Sequence, residues 1–341
     1  NSSQLESTLA RQQSTLTTRG ATRRHTVVKF GAMEFFDAHF HVWDITEGTG
    51  VHDGAILFAP DGLPLYDCAA YEGAVAPCAA VGFEHSGGVF VEAMSVCYPG
   101  TSASEHNARC VEEAKWALAM LETSSKHYVY IPSACLEDEG VAATLDTLRA
   151  LSDKVHGIRQ IVNSGPNWPR NGATGNLLLN EQWKKGYADL ARVGFSFDLQ
   201  LNPTQFAAAA ALIAANPAVK VAINHLGTPT AACLSDPATA AVYWEGMTAL
   251  AAAPHTAIKL SMLCYVDAAW DSNDVVKDAV HRIIELFGIE RCMMASNLPP
   301  DGNDGWGVAR LFPAAKALLQ RYGDDGLAKL FALNARAFYG A

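Results

Sequence analysis

The sequence predicts an α/β fold: a (β/α)8 TIM barrel whose long βα loops cap the carboxyl ends of its strands. Short apolar runs alternate with longer helical stretches from residue 33 onward, which is typical of repeated βα units and a parallel sheet. The chain has 341 residues, and barrels of roughly 250 residues or more commonly form one domain. We therefore expect a basic N-terminal extension over residues 1–32 and a single barrel over residues 33–341.

The eight predicted strands are short and apolar. In chain order they cover residues 34–41, 88–93, 128–133, 157–162, 196–201, 220–226, 257–261 and 292–296. The stretches between them are amphipathic or rich in Ala, which predicts helices over residues 104–124, 141–154, 182–193, 203–215, 238–253 and 274–286. Two of these helices begin with a capping or N1 signal, at Asn202-Pro203-Thr204 and at Ser272-Asn273-Asp274.

Polar side chains stand at or just beyond the carboxyl end of nearly every predicted strand. They are His39, His41, Glu92, Ser133, Arg159, Gln160, Asn163, Asp198, Gln200, Asn224, His225, Lys259, Ser261, Ser296 and Asn297. The chemistry of a (β/α)8 barrel takes place on this face. Because buried polar groups cost free energy unless they are paired, the pattern predicts one converging polar site.

The segment from Asp37 to Asp44 is the most informative part of the chain. An apolar run, residues 33–36, leads into His39 and His41, and their spacing in an extended strand places both imidazoles on one face. Two neutral imidazoles at a strand end can chelate a divalent metal, or hold and polarise a substrate oxygen. The structural alternative is a pair of hydrogen-bonded histidines at a strand terminus.

Two long loops are predicted. Residues 51–87 are rich in Gly, Pro and Ala and show little periodicity, so we expect them to cap the barrel mouth as a lid or to pack against it. Residues 163–176 form a second long βα loop that contains Trp168. We expect Trp168 either to line the substrate pocket or to pack the loop down.

The charge is distributed unevenly along the chain. Residues 1–30 contain five Lys or Arg residues and one Glu, whereas the whole chain has a formal net charge of −10. The acidic excess therefore lies entirely in residues 31–341. An acidic body repels phosphate backbones, so we expect no nucleic-acid partner.

The N-terminal tail is rich in Ser, Thr, Gln and Arg and lacks the hydrophobic block of a secretory signal. This composition is typical of a mitochondrial or plastid targeting region, and we expect a mitochondrial location. The alternative is a disordered tail on a cytoplasmic protein. If residues 1–32 are ordered, we expect a protein partner to hold them.

The eight cysteines are scattered, without a C-x-x-C pair or a framework spacing. We expect a reducing compartment, in which most of them are small buried hydrophobes. No apolar run approaches the 18 or so residues of a membrane-spanning helix. The sequence therefore predicts a soluble protein without a transmembrane segment.

Seven short motifs follow one another in order at barrel-compatible spacings. They are DAHFHVWD (37–44), GIRQ (157–160), FDLQ (197–200), NHLG followed by Pro229 (224–229), KLS (259–261), RCMMASNLP (291–299) and LNARAFYG (333–340). Over residues 33–340 the chain thus resembles the amidohydrolase-2 group of the amidohydrolase superfamily, and most of all its lactonase-like branch, which includes fuconolactonase and pyrone-dicarboxylate lactonase. The resemblance implies a hydrolase that activates water against a lactone, amide or ester carbonyl.

The resemblance also implies roles for individual residues. His39 and His41 would be the first-strand pair, and His225 would polarise the carbonyl or stabilise the oxyanion. His225 or Asp198 would activate water. The strand-eight position of the family corresponds to Asn297.

Four further residues are candidates for substrate binding. Arg159 would clamp a substrate carboxylate or oxyanion with its planar fork, or form a structural ion pair with Glu92 or Asp198. Gln160 adjoins Arg159 and is grouped with it, and Trp168 could line the pocket. Lys259 would either pair with a carboxylate inside the barrel or touch the substrate.

Asn297 departs from the family pattern, since many relatives have Asp there as a general base or metal ligand. Asparagine cannot accept a proton at neutral pH and is a poor metal ligand. General acid–base catalysis contributes roughly 10²- to 10⁴-fold, so turnover would be slow unless His225 or Asp198 replaces the missing base.

The ligand set for a metal is also thin. A dinuclear relative would carry Lys or Glu at the end of strand four, where this chain has Arg159-Gln160, and a mononuclear zinc relative would carry His on strand five. His39 and His41 remain, with Asp198 or His225, whereas a catalytic zinc usually has three protein ligands. We expect no tightly bound catalytic metal, with one weakly bound zinc as the alternative.

These observations leave open more than one function. The leading hypothesis is a hydrolase of a small carboxylated lactone or cyclic ester with little or no metal dependence. Its rival is a catalytically reduced barrel that serves as an accessory or scaffold subunit of a large mitochondrial assembly. The third hypothesis is a zinc decarboxylase. This chain lacks the histidine that such an enzyme would carry on strand five.

Overall fold

A computed structural model describes residues 31–46, 48, 50–52, 63–98, 100–165 and 175–341. Ala32–Ala341 group together as one unit. The basic tail, residues 1–30, and Trp168 lie outside the described residues. The expectations for targeting, for a partner at residues 1–32, for an accessory subunit and for a pocket-lining Trp168 therefore stay predictions.

Eight parallel strands carry the fold, and all eight predicted strands are observed. The strands of the structure are β1 (Met33–Phe40), β2 (Trp43–Asp44), β3 (Leu65–Tyr66), β4 (Phe83–Val91), β5 (His127–Ile131), β6 (Gly157–Ile161), β7 (Ser196–Gln200), β8 (Val221–Ile223), β9 (Thr256–Leu260) and β10 (Cys292–Met294). β2 and β3 pair with each other in antiparallel. The other eight pair in parallel, in the orders β1-β4-β5 and β6-β7-β8-β9-β10.

Isolated parallel bridges join these two sheets on both sides. They pair Tyr130 with Val155, Ser133 with Arg159, and Phe40 with Leu298. Among the described residues, no continuous ladder of hydrogen bonds closes the ring. The α/β fold with parallel strands is confirmed, whereas closure into a barrel stays a prediction at this point.

Helices follow the strands as the sequence predicts. Within the described residues they cover Cys68–Val75, Ala103–Leu121, Val141–Leu151, Glu181–Val193, Phe206–Ala215, Ala231–Ser235, Pro237–Ala251, Leu263–Val266, Asp274–Phe287, Pro300–Asn303, Val308–Leu319, Gly323–Ala328 and Asn334–Tyr339. The side chain of Asn273 caps its helix by accepting from the Val275 N–H, and Asn202 forms a capping box with Gln205. Both predicted capping signals are thereby confirmed.

The region 51–87 contains a helix that the sequence pattern did not predict. Helix Cys68–Val75 begins at Asp67, whose carboxylate accepts from the Ala70 N–H. Its alanines favour a helix but mark no apolar face, so periodicity could not reveal it. Tyr71 from this helix stacks on Phe40 of β1, with ring centroids 3.8 Å apart, so the described part of the region packs against the sheet.

The C-terminal helix Asn334–Tyr339 packs against an apolar face of the parallel strands. The apolar cluster there contains Phe36, Ala38, Val89, Val91, Val129, Ile131, Ala222, Ala257, Met293, Ala295, Ala332, Ala335 and Tyr339. Outside this helix and the preceding turn of the chain, these side chains come from six of the parallel strands and the residues that follow them. The last helix therefore packs against strands of both parallel sheets.

The remaining predictions concern cysteines and membranes. All eight cysteines are free thiols, and all except Cys135 are buried, as expected for small hydrophobes. The helices that the structure describes include none long and apolar enough to cross a bilayer.

Candidate active site

Asp37 ties the end of β1 to the residues that follow β10. One carboxylate oxygen accepts from the backbone N–H groups of Ser296 at 2.9 Å and His39 at 3.1 Å. The other accepts from the hydroxyls of Tyr71 at 2.8 Å and of Ser296. Burial raises the pKa of Asp37 to about 6, although these donors act in the opposite direction. Asp37 thus fixes the backbone position of His39.

His39 and His41 form the predicted pair at the end of β1. Their Nε2 atoms lie 3.1 Å apart, and both residues are buried. Nδ1 of His41 lies 2.7 Å from the carbonyl oxygen of Val91. Burial is the main cause that lowers the pKa of His41 to about 3 and that of His39 well below its ordinary value. Both imidazoles are therefore neutral at pH 7.

The hydrogen bonds decide where each imidazole carries its proton. A carbonyl oxygen only accepts, so Nδ1 of His41 must donate to Val91. A neutral imidazole has one N–H, and Nε2 of His41 is therefore an acceptor. Nε2 of His39 must then donate to it, which leaves Nδ1 of His39 as an acceptor.

Lys259 supplies the donor for that acceptor. Its Nζ lies 3.3 Å from Nδ1 of His39 and forms a buried ion pair with Asp198. Burial lowers the pKa of Lys259, while Asp198 acts to raise it. Lys259 thus pairs with a carboxylate inside the strands, as one of the two predictions stated, and it also contacts a candidate catalytic histidine.

Asp198 is surrounded by donors. Besides Lys259, its carboxylate accepts from Nδ2 of Asn224 at 2.9 Å and from the hydroxyl of Tyr339, which lies 2.9 Å from both oxygens. Its side chain is completely buried. Donors from three described residues thus occupy its carboxylate, whereas a water-activating base needs an oxygen within reach of the water. The arrangement does not favour Asp198 as the water-activating base.

His225 lies in a left-handed turn rather than in a strand. The sequence pattern predicts strand up to residue 226, but β8 ends at Ile223, and His225 and Leu226 have φ of 55° and 56°. Nδ1 of His225 lies 2.8 Å from the Ser261 hydroxyl. The ring of His225 lies 4.6 Å from that of His39, centroid to centroid, so the structure brings the three predicted histidines together.

Arg159 forms an ion pair with Glu92, which is one of the two roles predicted for it from the sequence. Its Nε donates to a Glu92 carboxylate oxygen at 2.5 Å and one terminal nitrogen donates to the Glu92 carbonyl at 2.8 Å. The other terminal nitrogen donates to Oε1 of Gln200 at 3.3 Å. Three of the five N–H groups of the guanidinium are thus used among the described residues.

Gln160 lies apart from this cluster. Its Oε1 accepts from the indole N–H of Trp183 at 2.7 Å and from the Leu136 N–H at 3.1 Å. Its Nε2 donates to Glu137. Successive side chains of a strand point to opposite faces, so Gln160 faces the helices while Arg159 faces the interior. The predicted role of Gln160 in substrate binding has no supporting contact.

Asn297 is held by a residue that the sequence analysis missed. Nδ2 of Asn297 donates to a carboxylate oxygen of Asp301 at 2.6 Å, and Asn297 adopts a left-handed φ of 50°. The pKa of Asp301 is raised to about 7, and burial is the largest cause of this shift. Asp301 is one helical turn beyond Asn297, and this i, i+4 spacing was the only local signal that could have found it.

Zinc fits the two imidazoles only in part. At a tetrahedral zinc, two Zn–N bonds of about 2.0–2.1 Å place their nitrogens roughly 3.3–3.4 Å apart, slightly more than the Nε2–Nε2 distance of 3.1 Å. However, Nε2 of His39 carries the proton as long as Lys259 donates to Nδ1. The described residues include no group of three His, Cys, Asp or Glu side chains that could hold a metal ion. As arranged, these residues do not fit a zinc site.

Comparison with known proteins gives one family and one relative. A family model described as Amidohydrolase matches residues 36–341. The uncharacterized protein y4mH of Sinorhizobium fredii is 30% identical over 196 residues, which cover 55% of this chain and 62% of that protein. The chain thus spans less than two thirds of the length of this curated relative.

Solved structures share the fold. An amidohydrolase from Burkholderia multivorans with bound zinc has a TM-score of 0.68 at 16% identity, and the match covers 90% of this chain and 99% of that chain. A candidate 2-pyrone-4,6-dicarboxylic acid hydrolase from Pseudomonas putida has a TM-score of 0.65 at 19% identity, with 90% and 98% covered. At these identities the likeness concerns the fold alone.

Proposed function

The chain belongs to the amidohydrolase family, and from this premise we propose that it hydrolyses a small carboxylated lactone or cyclic ester without a tightly bound metal. The observation that carries the proposal is the convergence of three buried imidazoles at the strand ends, with 3.1 Å between Nε2 of His39 and His41 and 4.6 Å between the rings of His39 and His225. A neighbour in fold is described as a candidate hydrolase of 2-pyrone-4,6-dicarboxylic acid, which is a carboxylated lactone.

The same proposal includes a closed barrel. The bridge between Phe40 and Leu298 connects the residues at the ends of β1 and β10. Two backbone hydrogen bonds accompany it, from the Asn297 N–H to the His39 carbonyl at 2.9 Å and from the His41 N–H to the Leu298 carbonyl at 2.8 Å. Closure would place the ends of β1 and β10 side by side, and with them His39 and Asn297.

We assign the base to His225 and the oxyanion donor to His39. Nδ1 of His225 is directed at the Ser261 hydroxyl, and we assign Nε2 as the nitrogen that accepts the proton from water. The water oxygen attacks the lactone carbonyl carbon. The N–H at Nε2 of His39, which donates to Nε2 of His41 in the free protein, turns to the oxyanion and stabilises it. The ring C–O bond then breaks, and the proton returns from His225 to the leaving ring oxygen, which gives a hydroxy acid.

Arg159 can hold the substrate carboxylate in this scheme while it keeps its ion pair. Glu92 and Gln200 use three of its five N–H groups, and the remaining two lie on the terminal nitrogens. An Arg fork matches a carboxylate in geometry and charge. This would explain why a carboxylated substrate is preferred over a neutral one.

The metal-independent part of the proposal rests on the Lys259–His39 contact. An ammonium 3.3 Å from Nδ1 repels a second cation at the same imidazole and keeps the proton on Nε2. Relatives of this fold can bind zinc, so a chelator experiment decides between the two possibilities.

The proposed function is tested with the full chain on paired lactones that differ only in a carboxylate. We expect hydrolysis of the carboxylated member, with kcat reduced at least 10²-fold in His225→Gln and His39→Gln. His106→Gln alters a histidine on the outer helix Ala103–Leu121 and is the matched control, for which full activity is expected.

Two outcomes contradict the proposal. If His225→Gln turns over lactones as fast as the wild type, the imidazole cluster is not the active site. If dialysis against a chelator abolishes activity and zinc restores it, the reaction requires a metal. Activity that survives chelation, with loss in both histidine variants, supports the proposal as stated.

A further inference from the structure

We propose that Tyr339, near the C-terminus, is a positioning residue that holds His39 in the tautomer with its proton on Nε2. It acts through Asp198 and Lys259, so four side chains form one buried chain of hydrogen bonds. Its effect on catalysis rests on the proposed function above, whereas its effect on the tautomer does not.

The chain of contacts begins at the C-terminal helix. The hydroxyl of Tyr339 lies 2.9 Å from both carboxylate oxygens of Asp198. Asp198 forms the ion pair with Lys259, and Lys259 lies 3.3 Å from Nδ1 of His39. The Lys259 ammonium also lies 5.2 Å from the centre of the Tyr339 ring. Tyr339 therefore contacts both members of the ion pair.

Burial makes each of these contacts consequential. The side chains of Lys259 and Asp198 are fully buried, and Tyr339 is 2% exposed. Asn224, Tyr339 and Lys259 are the described donors to Asp198, and when Tyr339 is lost the carboxylate depends more on Lys259. The Lys259 ammonium then moves toward Asp198 and becomes a weaker donor to Nδ1 of His39.

The tautomer of His39 depends on that donor. Among the described residues, the charged and titratable groups around His39 include Lys259, His225, His41 and Arg159, and the Asp37 carboxylate accepts from its backbone N–H. His41 accepts at Nε2 because its Nδ1 is committed to Val91, and Lys259 is the group that donates to Nδ1 of His39. His41 and Lys259 thus both favour the Nε2–H tautomer. Weakening the Lys259 contact removes one of these two contacts and shifts the equilibrium toward the Nδ1–H tautomer, in which the Nε2 proton that we assign to the oxyanion is missing.

The hydroxyl can be removed without releasing the helix. Arg336 forms an ion pair with Glu34 at 2.8 Å, and Nδ2 of Asn334 donates to the carbonyls of Ile289 at 2.7 Å and Cys292 at 2.8 Å. The ring of Tyr339 itself packs in the apolar cluster. Tyr339→Phe keeps all of these contacts, so a loss of position of the helix is not expected.

The test is side-chain 15N NMR of the full chain labelled at histidine, with the His39 signals assigned by their loss in His39→Gln. In the wild type at pH 7 we expect a protonated Nε2 and an unprotonated Nδ1. In Tyr339→Phe we expect the ratio of the two tautomers to change about tenfold toward Nδ1–H. With a carboxylated lactone, kcat should fall about tenfold and KM should change little.

Tyr130→Phe is the matched control. It also removes a buried hydroxyl that donates to a carboxylate, here Glu113 at 2.8 Å, but Tyr130 does not contact the ion pair. We expect a similar loss of thermal stability in both variants and an unchanged His39 tautomer in Tyr130→Phe.

The outcomes are distinct. If the His39 signals are identical in Tyr339→Phe and in the wild type, the proposal is overturned and Tyr339 is a structural residue. The proposal is also overturned if His39 of the wild type carries its proton on Nδ1. A changed tautomer in a protein without lactonase activity supports this inference and contradicts the proposed function. If Tyr339→Phe does not fold, Asp198→Asn replaces it, and an unchanged tautomer in that variant overturns the proposal.

Discussion

Nζ of Lys259 lies 3.3 Å from Nδ1 of His39, and both residues are fully buried although 220 positions separate them in the chain. This contact places a cation against a neutral imidazole, which lowers the pKa of His39 further after burial has lowered it. It also fixes the imidazole proton on the side that faces His41. The contact with Lys259 therefore explains two properties of His39: its Nε2 can donate a hydrogen bond, and the same nitrogen is a poor zinc ligand.

The ion pair of Lys259 with Asp198 leads to a stability prediction. Lys259→Met removes one member of a fully buried pair and leaves the Asp198 charge without its main partner. Breaking such a pair costs about 3–5 kcal/mol. We expect a loss of that size in the free energy of unfolding, measured by urea denaturation at pH 7.

Two controls accompany this experiment. Lys184→Met breaks an ion pair with the exposed Glu181 and should cost less than about 1 kcal/mol. The double variant Asp198→Asn, Lys259→Met removes both charges and should recover part of the loss. If the double variant is as unstable as Lys259→Met, the unpaired charge is not the cause.

Arg159 allows its two roles to be separated. Arg159→Lys keeps a positive charge opposite Glu92 but loses the planar fork. For a carboxylated lactone we expect KM to rise about tenfold or more, because the two remaining N–H groups of the fork are lost. For the matched lactone without a carboxylate, KM should stay within about twofold. An equal rise for both substrates would assign Arg159 to the ion pair alone.

Local sequence patterns predicted the strands and most of the residues at their ends. The spacing of His39 and His41 sufficed to predict a shared face, because strand geometry has a period of two, and His225 was correctly placed beside them. The turn at residues 224–227 was not predicted, because an apolar strand continues into it and Leu226 is a residue type that rarely adopts the left-handed φ observed there.

Long-range contacts set the limit of prediction. Tyr339 was quoted in a motif but received no role, since its partner Asp198 lies 141 positions away. The sequence also could not tell whether Arg159 pairs with Glu92 or with Asp198, because both residues lie at predicted strand ends. The distances in the folded structure were needed to decide. The fold supplied these partners, and the sequence could supply only the candidates.

The pair of Asn297 and Asp301 can be tested by exchange. Asn297→Asp alone would place two buried carboxylates at the 2.6 Å contact, which should destabilise the fold by about 1–3 kcal/mol at pH 8. The double variant Asn297→Asp, Asp301→Asn restores one carboxylate and one amide and should recover most of that loss. Urea denaturation of the three proteins measures the coupling, and purely additive effects would show that the contact contributes nothing.

Asp301 also makes stability depend on pH. Burial raises the pKa of Asp301 from 3.8 to about 7, so the folded state keeps a proton that the unfolded state releases above pH 4. The contribution of Asp301 to the free energy of unfolding is fully present below about pH 4. It decreases as the pH rises from about 4 to about 7 and does not change further above pH 7. The total change is on the order of 4 kcal/mol.

Asp301→Asn removes this titration and keeps an oxygen that can accept from Nδ2 of Asn297. We therefore expect the variant to gain stability relative to the wild type as the pH is raised from 4 to 7, measured as the difference in unfolding free energy at each pH. Asp37, whose pKa is raised to about 6, titrates in both proteins and cancels in that difference. Asp324→Asn makes the same substitution at an exposed carboxylate and is the matched control. A difference between Asp301→Asn and wild type that does not vary with pH would mean that Asp301 titrates at the same pH in the folded and unfolded states.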